Sequence, residues 1–157
     1  SKLIDNYEGC YFYIFPQVTV GDNDTDIVVS KKLKEKLNYE NCFIIDLDGI
    51  GDNPEQLVDL YGKMDVFIGS RMHSTIFALA GGAPTIALAY QHKTLGTFEA
   101  MNLKDYVFWV DSFCPDSLYN TVKDIIDNKS YPLEAVQMQI KSIEKQILEE
   151  LKFVTSL

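Results

Sequence analysis

Five short, almost wholly apolar runs recur along the chain, and each is followed by a stretch with helical patterning. The runs are residues 10–16, 42–47, 65–69, 84–90 and 106–110, and the helical stretches are about 25–38, 54–63, 74–81, 94–102 and 116–128. A strand with one wet face alternates apolar and polar residues; a strand apolar throughout is covered on both faces. Strand followed by helix, repeated five times, predicts a parallel sheet with right-handed crossovers. The expected fold class is therefore α/β: a Rossmann-like parallel sheet of about five strands with helices on both faces. Local signals agree with this. Asp24 or Thr25 is placed to cap the first helix, Asn53 with Pro54 opens the second, and Ser74 or Thr75 begins the third. Gly81 and Gly82 stop that third helix before Pro84.

The end of the chain is different. From Pro132 onward, Leu133, Val136, Ile140, Ile143, Ile147 and Leu151 fall at spacings of three and four. That is one apolar stripe on a helix of about five turns. The stripe calls for a covering surface, either this domain's own sheet or another domain or subunit, so a homo-oligomer is allowed. The 157 residues suit one domain, with an α/β core over 1–131 and a C-terminal helix over 132–157.

Composition narrows the partners. Lys and Arg number 14 against 23 Asp and Glu, a net charge of −9, which argues against nucleic acid or an anionic membrane surface. A small anion held by a few local cations remains compatible. Cys10, Cys42 and Cys114 are odd in number and form no CxxC pair, so neither a disulfide framework nor a zinc knuckle is indicated. A reducing, cytoplasmic setting is expected. The longest apolar stretches are near eight residues and the start is polar, so neither a membrane span nor a signal peptide is expected. The run Asp22-Asn23-Asp24-Thr25-Asp26 resembles a calcium loop, but Ile27 and Leu33 stand where Gly and Glu are required. It reads as a turn with a helix cap. Gly49-Ile50-Gly51 lacks the third glycine of a dinucleotide fingerprint, and there is no Walker loop. No metal or cofactor is implied.

In open parallel sheets, ligands bind beyond the carboxyl ends of the strands. Those ends hold Gln17 and Thr19; Asp46 and Asp48; Ser70-Arg71-Met72-His73-Ser74; Tyr90-Gln91-His92-Lys93; and Asp111 with Ser112. The third and fourth contain both histidines of the chain. His73 and Lys93 are 20 residues apart, about one helix plus one strand, which returns the chain to the same edge. A helix start at Ser74 or Thr75 adds N–H groups that favour an anion. Arg71, His73, Lys93 and a helix start together suit a phosphate or carboxylate. His92 shapes the neighbouring loop, and Asp48 is the better functional candidate of its pair. Trp109, inside a strand run, is expected in the core.

The segment from Asp65 to Tyr90, DVFIGSRMHSTIFALAGGAPTIALAY, followed by Gln91-His92-Lys93-Thr94-Leu95-Gly96, resembles the polysaccharide pyruvyl transferase family. The Ser-Arg-Met-His-Ser turn, the Ala-Gly-Gly-Ala-Pro stop and the later Lys93 occur in the family's order, and a looser likeness runs from Tyr11 to Val110. The resemblance implies transfer of pyruvate from phosphoenolpyruvate to a sugar of an exopolysaccharide, capsule or cell-wall glycan precursor, free or lipid-linked, with phosphate released. It implies a fold like the GT-B glycosyltransferases, of which this chain covers the carboxy-terminal Rossmann-like half. An amino-terminal half would be missing, and the isolated domain is expected to be inactive. It assigns catalysis to Arg71, His73 and Lys93; Ser70, Ser74, Thr75, His92 and Asp48, read from the strand ends and the helix start, are expected as substrate contacts. It requires no cofactor beyond the phosphoenolpyruvate donor and places the enzyme in the cytoplasm, with a peripheral position at the inner membrane face as a variant. The alternatives are a GT-B glycosyltransferase using a nucleotide sugar and a non-catalytic Rossmann-like binding domain.

Overall fold

A computed structural model describes residues 2–18 and 26–155, with side chains as far as Lys152. Its elements run α1 (Lys2–Asn6), β1 (Phe12–Ile14), α2 (Asp26–Leu37), β2 (Cys42–Ile44), α3 (Pro54–Tyr61), β3 (Phe67–Gly69) and α4 (Met72–Gly81). They continue with β4 (Thr85–Ala89), α5 (His92–Ala100), a 3-10 turn (Lys104–Tyr106), β5 (Val107–Trp109), α6 (Pro115–Asn128) and α7 (Leu133–Thr155). The protein is α/β, with Rossmann-like parallel sheets and a long C-terminal helix. All five expected strands lie within their apolar runs, each shorter than its run. The expected cap at Asp24 or Thr25, and Thr19, lie outside the described residues. Asp26, at the end of that acidic run, accepts the backbone N–H groups of Gln17 and Val18 at 3.1 and 3.0 Å.

The chain divides into two compact units, residues 1–56 and 57–157. The hydrogen-bonded ladders form one sheet in each rather than a continuous five-stranded ladder. In the first unit β1 and β2 pair in parallel, with Phe12 opposite Cys42 and Ile14 opposite Ile44. Helix α2 packs on β2. Cys42 is fully buried, and burial pushes its thiol up. Tyr39 meets the Phe12 ring edge-on at 5.9 Å and donates its hydroxyl to the Cys10 carbonyl at 3.0 Å.

In the second unit the order is β3-β4-β5, all parallel, so β4 is central. Its Thr85-Ile86-Ala87-Leu88-Ala89 run is buried at every position but Leu88, as a strand covered on both faces must be. Helix α4 packs on β3 and β4, and α5 on β4. The core joins Tyr61, Ile86, Phe98, Leu103 and Val136. The end of α4 comes unusually close to the chain after α3. A Cβ on Gly81 would overlap the Val58 carbonyl and lie 2.8 Å from the Gly62 Cα. Gly82 then closes α4 in the left-handed region at φ 86°, which glycine adopts without steric cost.

Helix α7 is held at its start by Tyr131, which is buried, stacks obliquely on Tyr106 at 4.6 Å and donates to the Thr85 carbonyl at 3.2 Å. Burial pushes the Tyr131 phenol up, against the lowering effect of that hydrogen bond. The apolar stripe is covered unevenly. Val136 is buried, Ile140 and Ile143 are half-buried, while Ile147 and Leu151 are 52% and 55% exposed. The first half of the stripe therefore meets this unit's own α4, and the second half meets no described residue that buries it.

Two stability measurements follow. Gly81→Ala should lower the unfolding free energy by about 1–3 kcal/mol in urea, because the overlap is with backbone that cannot rotate away. Val136→Ala should cost about 2 kcal/mol, whereas Leu151→Ala should change stability by less than about 0.5 kcal/mol.

Candidate functional site

The carboxyl edge of the three-stranded sheet gathers the residues singled out in the sequence. Because β3 and β4 run in parallel with Gly69 opposite Ala87, their following segments leave the sheet side by side. Ser70 and Arg71 follow β3 and lead into α4; Tyr90 and Gln91 follow β4 and lead into α5. His73 and Lys93 are each the second residue of their helix. Both are exposed, as are Ser70 and His92, while Arg71 is half-buried. The backbone thus brings Ser70, Arg71, His73, His92 and Lys93 to one edge of one sheet.

Close packing fixes the first of these turns. A Cβ on Gly69 would lie 2.6 Å from the Thr75 methyl and 2.9 Å from the Phe67 ring, so only glycine lets α4 begin against the strand end. The helices start two residues earlier than their sequence signals indicate. Arg71 rather than Ser74 or Thr75 occupies the N-cap position of α4, with φ −88° and ψ 127°. Ser74 and Thr75 are buried instead. The Ser74 hydroxyl donates to the Arg71 carbonyl and the Thr75 hydroxyl to the Met72 carbonyl, both at 2.7 Å. Ser and Thr hydroxyls bond readily to carbonyls three residues back. These two side chains brace the turn from within the first helical turn.

Neither Arg71 nor Gln91 closes its helix with a side-chain hydrogen bond. The first-turn N–H groups of α4 and α5 thus take no hydrogen bond from the N-cap side chain, at ends whose dipoles favour negative charge. With one guanidinium, one ammonium and two imidazoles at the same edge, the arrangement suits a small dianion. Asp48 has a different setting. It lies in the first unit, exposed, in a turn where the Asp46 carboxylate accepts its backbone N–H at 3.0 Å. Strand β2 ends at Ile44, so both aspartates belong to this turn rather than to the strand.

Two residues at the edge of the second unit were not legible as functional candidates. Trp109 is half-buried rather than core, and its ring meets His92 in a T-shaped contact at 5.1 Å. It is the last residue of β5, and that terminal position was the available signal. Cys114 is exposed at the start of α6, where the backbone N–H groups of Ser117 and then Asp116 hold its thiol below the ordinary range. Its signal is Cys-Pro-Asp ahead of a helical pattern. Among the described residues no three His, Cys, Asp or Glu side chains gather as metal ligands, and no helix is long and apolar enough to cross a membrane.

The family model described as polysaccharide pyruvyl transferase matches residues 2–92, a segment that contains the Ser70–Thr75 turn and ends one residue before Lys93. The chain is also similar to the amylovoran biosynthesis protein AmsJ of Erwinia amylovora, at 30% identity over 122 residues. That likeness covers 77% of this chain and 28% of AmsJ, so the chain spans well under a third of that relative's length. No solved structure matches. With more than half of its residues matched, including the turn that opens α4, the chain belongs to the polysaccharide pyruvyl transferase family.

Proposed function

We propose that this chain forms the phosphoenolpyruvate-handling half of a pyruvyl transferase that modifies a saccharide of an exopolysaccharide or related glycan. The supporting observation is the shared edge, where Arg71, His73 and Lys93 follow neighbouring parallel strands beside two helix starts without side-chain caps. Phosphoenolpyruvate carries a phosphate and a carboxylate on adjacent positions. Arg71 holds one of them through its planar fork, and Lys93 neutralises the other as a point charge. Ser70 and His92 line the same edge and orient the donor.

The chemistry asks for protonation at one carbon and deprotonation at two hydroxyls. The methylene carbon of the donor gains a proton and becomes a methyl group, leaving the adjacent carbon electron-poor. A sugar hydroxyl oxygen bonds to that carbon and gives up its proton. A second hydroxyl oxygen then bonds to the same carbon as the phosphate group leaves with the C–O bond electrons and takes up that hydroxyl's proton, and the product is a cyclic ketal plus inorganic phosphate. Histidine suits either transfer near neutral pH, and His73 is assigned that role. In this reading an amino-terminal Rossmann-like half completes a GT-B-like cleft and supplies acceptor contacts, and the enzyme works in the cytoplasm. The relative's role in amylovoran biosynthesis supports a glycan acceptor.

Binding and turnover test different residues. Titration of the chain with phosphoenolpyruvate, followed by phosphorus NMR, should give an affinity that Arg71→Lys weakens about tenfold, since an ammonium cannot reproduce the fork. In the enzyme completed by its amino-terminal half, His73→Ala should lower phosphate release by about 100-fold. Phosphate release by His73→Ala at the wild-type rate would remove His73 from the mechanism.

A further inference from the structure

The carboxyl edge of the second unit holds one contact that the donor chemistry leaves unexplained. Trp109 is the only tryptophan of the sequence. A ring of that size is ordinarily well buried, yet Trp109 ends β5 and is half-buried. Its backbone is fixed from the side. Ala89 of β4 lies opposite it, and the Val110 N–H donates to the Ala89 carbonyl at 3.0 Å. Three residues beyond Ala89, the exposed His92 opens α5. The imidazole and indole rings meet there in a T-shape, with centroids 5.1 Å apart and planes at 63°. Aromatic pairs prefer this arrangement and this separation.

Neither ring commits its nitrogen atoms within the protein. The side chains of His92 and Trp109 make no hydrogen bond to a described residue. No buried side-chain nitrogen or oxygen among the described residues lacks a partner, so the indole N–H reaches the surface. Left alone, an exposed histidine spreads over several staggered rotamers, and ordering it when a ligand binds costs affinity. Contact with the indole selects a rotamer in advance. Strand order says which side of the edge that rotamer serves. Arg71 and His73 follow β3, Lys93 follows the central β4, and Trp109 ends β5. Successive residues of a helix point about 100° apart, so His92 and Lys93 diverge from the start of α5.

We infer that Trp109 is a positioning residue for His92. The indole holds the imidazole on the β5 side of the α5 start, so that a small anion seated there meets His92 on one side and Arg71 on the other. This role rests on the anion-binding reading of the edge and adds to it a residue of β5.

Phosphoenolpyruvate and inorganic phosphate share the phosphoryl anion and serve as probes of the isotope-labelled 157-residue chain. Without ligand, the indole ring current should displace the His92 ring-proton signals from their free-histidine positions, and Trp109→Leu should return them. With phosphoenolpyruvate, His92→Ala and Trp109→Leu should each raise the dissociation constant about fivefold. The double variant should also lose about fivefold and no more, because a residue that acts through His92 has nothing to act on once His92 is gone. Trp109→Phe, which keeps an aromatic ring against His92, should stay within about twofold of the wild type. A residue that only stabilised the sheet would add its own loss, and a double variant about 25-fold weaker overturns the proposal. So does wild-type binding by either single variant. Signal dispersion reports the folding of each variant, and Trp109→Met serves where Trp109→Leu fails to fold. Absence of the ring-current displacement in the wild type, which needs no variant, also overturns it. Losses with both probes place His92 against phosphoryl oxygens; losses with phosphoenolpyruvate alone place it against the carboxylate. If neither probe moves the signals of residues 70–74 and 91–94, the donor reading fails and this role fails with it. Binding with independent losses removes Trp109 alone.

Discussion

Parallel pairing of β3, β4 and β5 is the constraint from which the rest of the second unit follows. In a parallel sheet every strand ends at the same edge, so every strand-to-helix turn opens there. Three consecutive units of the chain therefore deliver their turns to one line, although 20 residues separate His73 from Lys93 in sequence. The burial of β4 makes this arrangement rigid. A one-residue slip would turn the buried Ile86 and Ala89 side chains to the opposite face from the one each packs against. The edge geometry thus has the same origin as the stability of the core.

The functional turn shows how local detail is set by packing rather than by helix-capping preference. Sequence signals put the start of α4 at Ser74 or Thr75, since hydroxyl residues favour the cap position. Their hydroxyls instead bond back to Arg71 and Met72, and the bare Gly69 admits the helix two residues early. The result is that His73 sits within the first helical turn, where backbone geometry orients it, rather than in a loose loop. A caps-only reading cannot anticipate this, because the decisive contact is between Gly69 and Thr75 across the strand-helix corner.

Much of the architecture was legible because apolar runs that do not alternate have few uses in a protein of this charge. All five strands fell within such runs, and the grouping of Arg71, His73, His92 and Lys93 at one edge follows from strand order. What was not legible depends on three-dimensional neighbours. Trp109 reads as core from its strand, yet as the last residue of β5 it meets His92. Ser74 and Thr75 read as helix caps, and their hydroxyls instead donate to the carbonyls of Arg71 and Met72. The division of the strands into two ladders has no mark in the apolar pattern, since each strand looks the same whether it pairs with one neighbour or two. The exposure of Tyr11, Tyr13 and Phe43 was equally hidden, because aromatic residues in a strand read as core.

Helix α7 carries a consequence for how the molecule opens. Its 23 residues are tied at the start by Tyr131 and Val136, while Ile147, Leu148 and Leu151 remain exposed. Amide protons in an α-helix exchange with water only when their hydrogen bonds break, and the cost of breaking them is set by what the local side chains pack against. Along this one helix that cost falls from the level of the whole core near Val136 to that of a nearly isolated helix near Leu151. Isolated helical stretches as short as its uncovered end are marginal in water. The helix is therefore a graded structure, unravelling from one end independently of the sheet. A surface that covered its far end would make it exchange as a single unit.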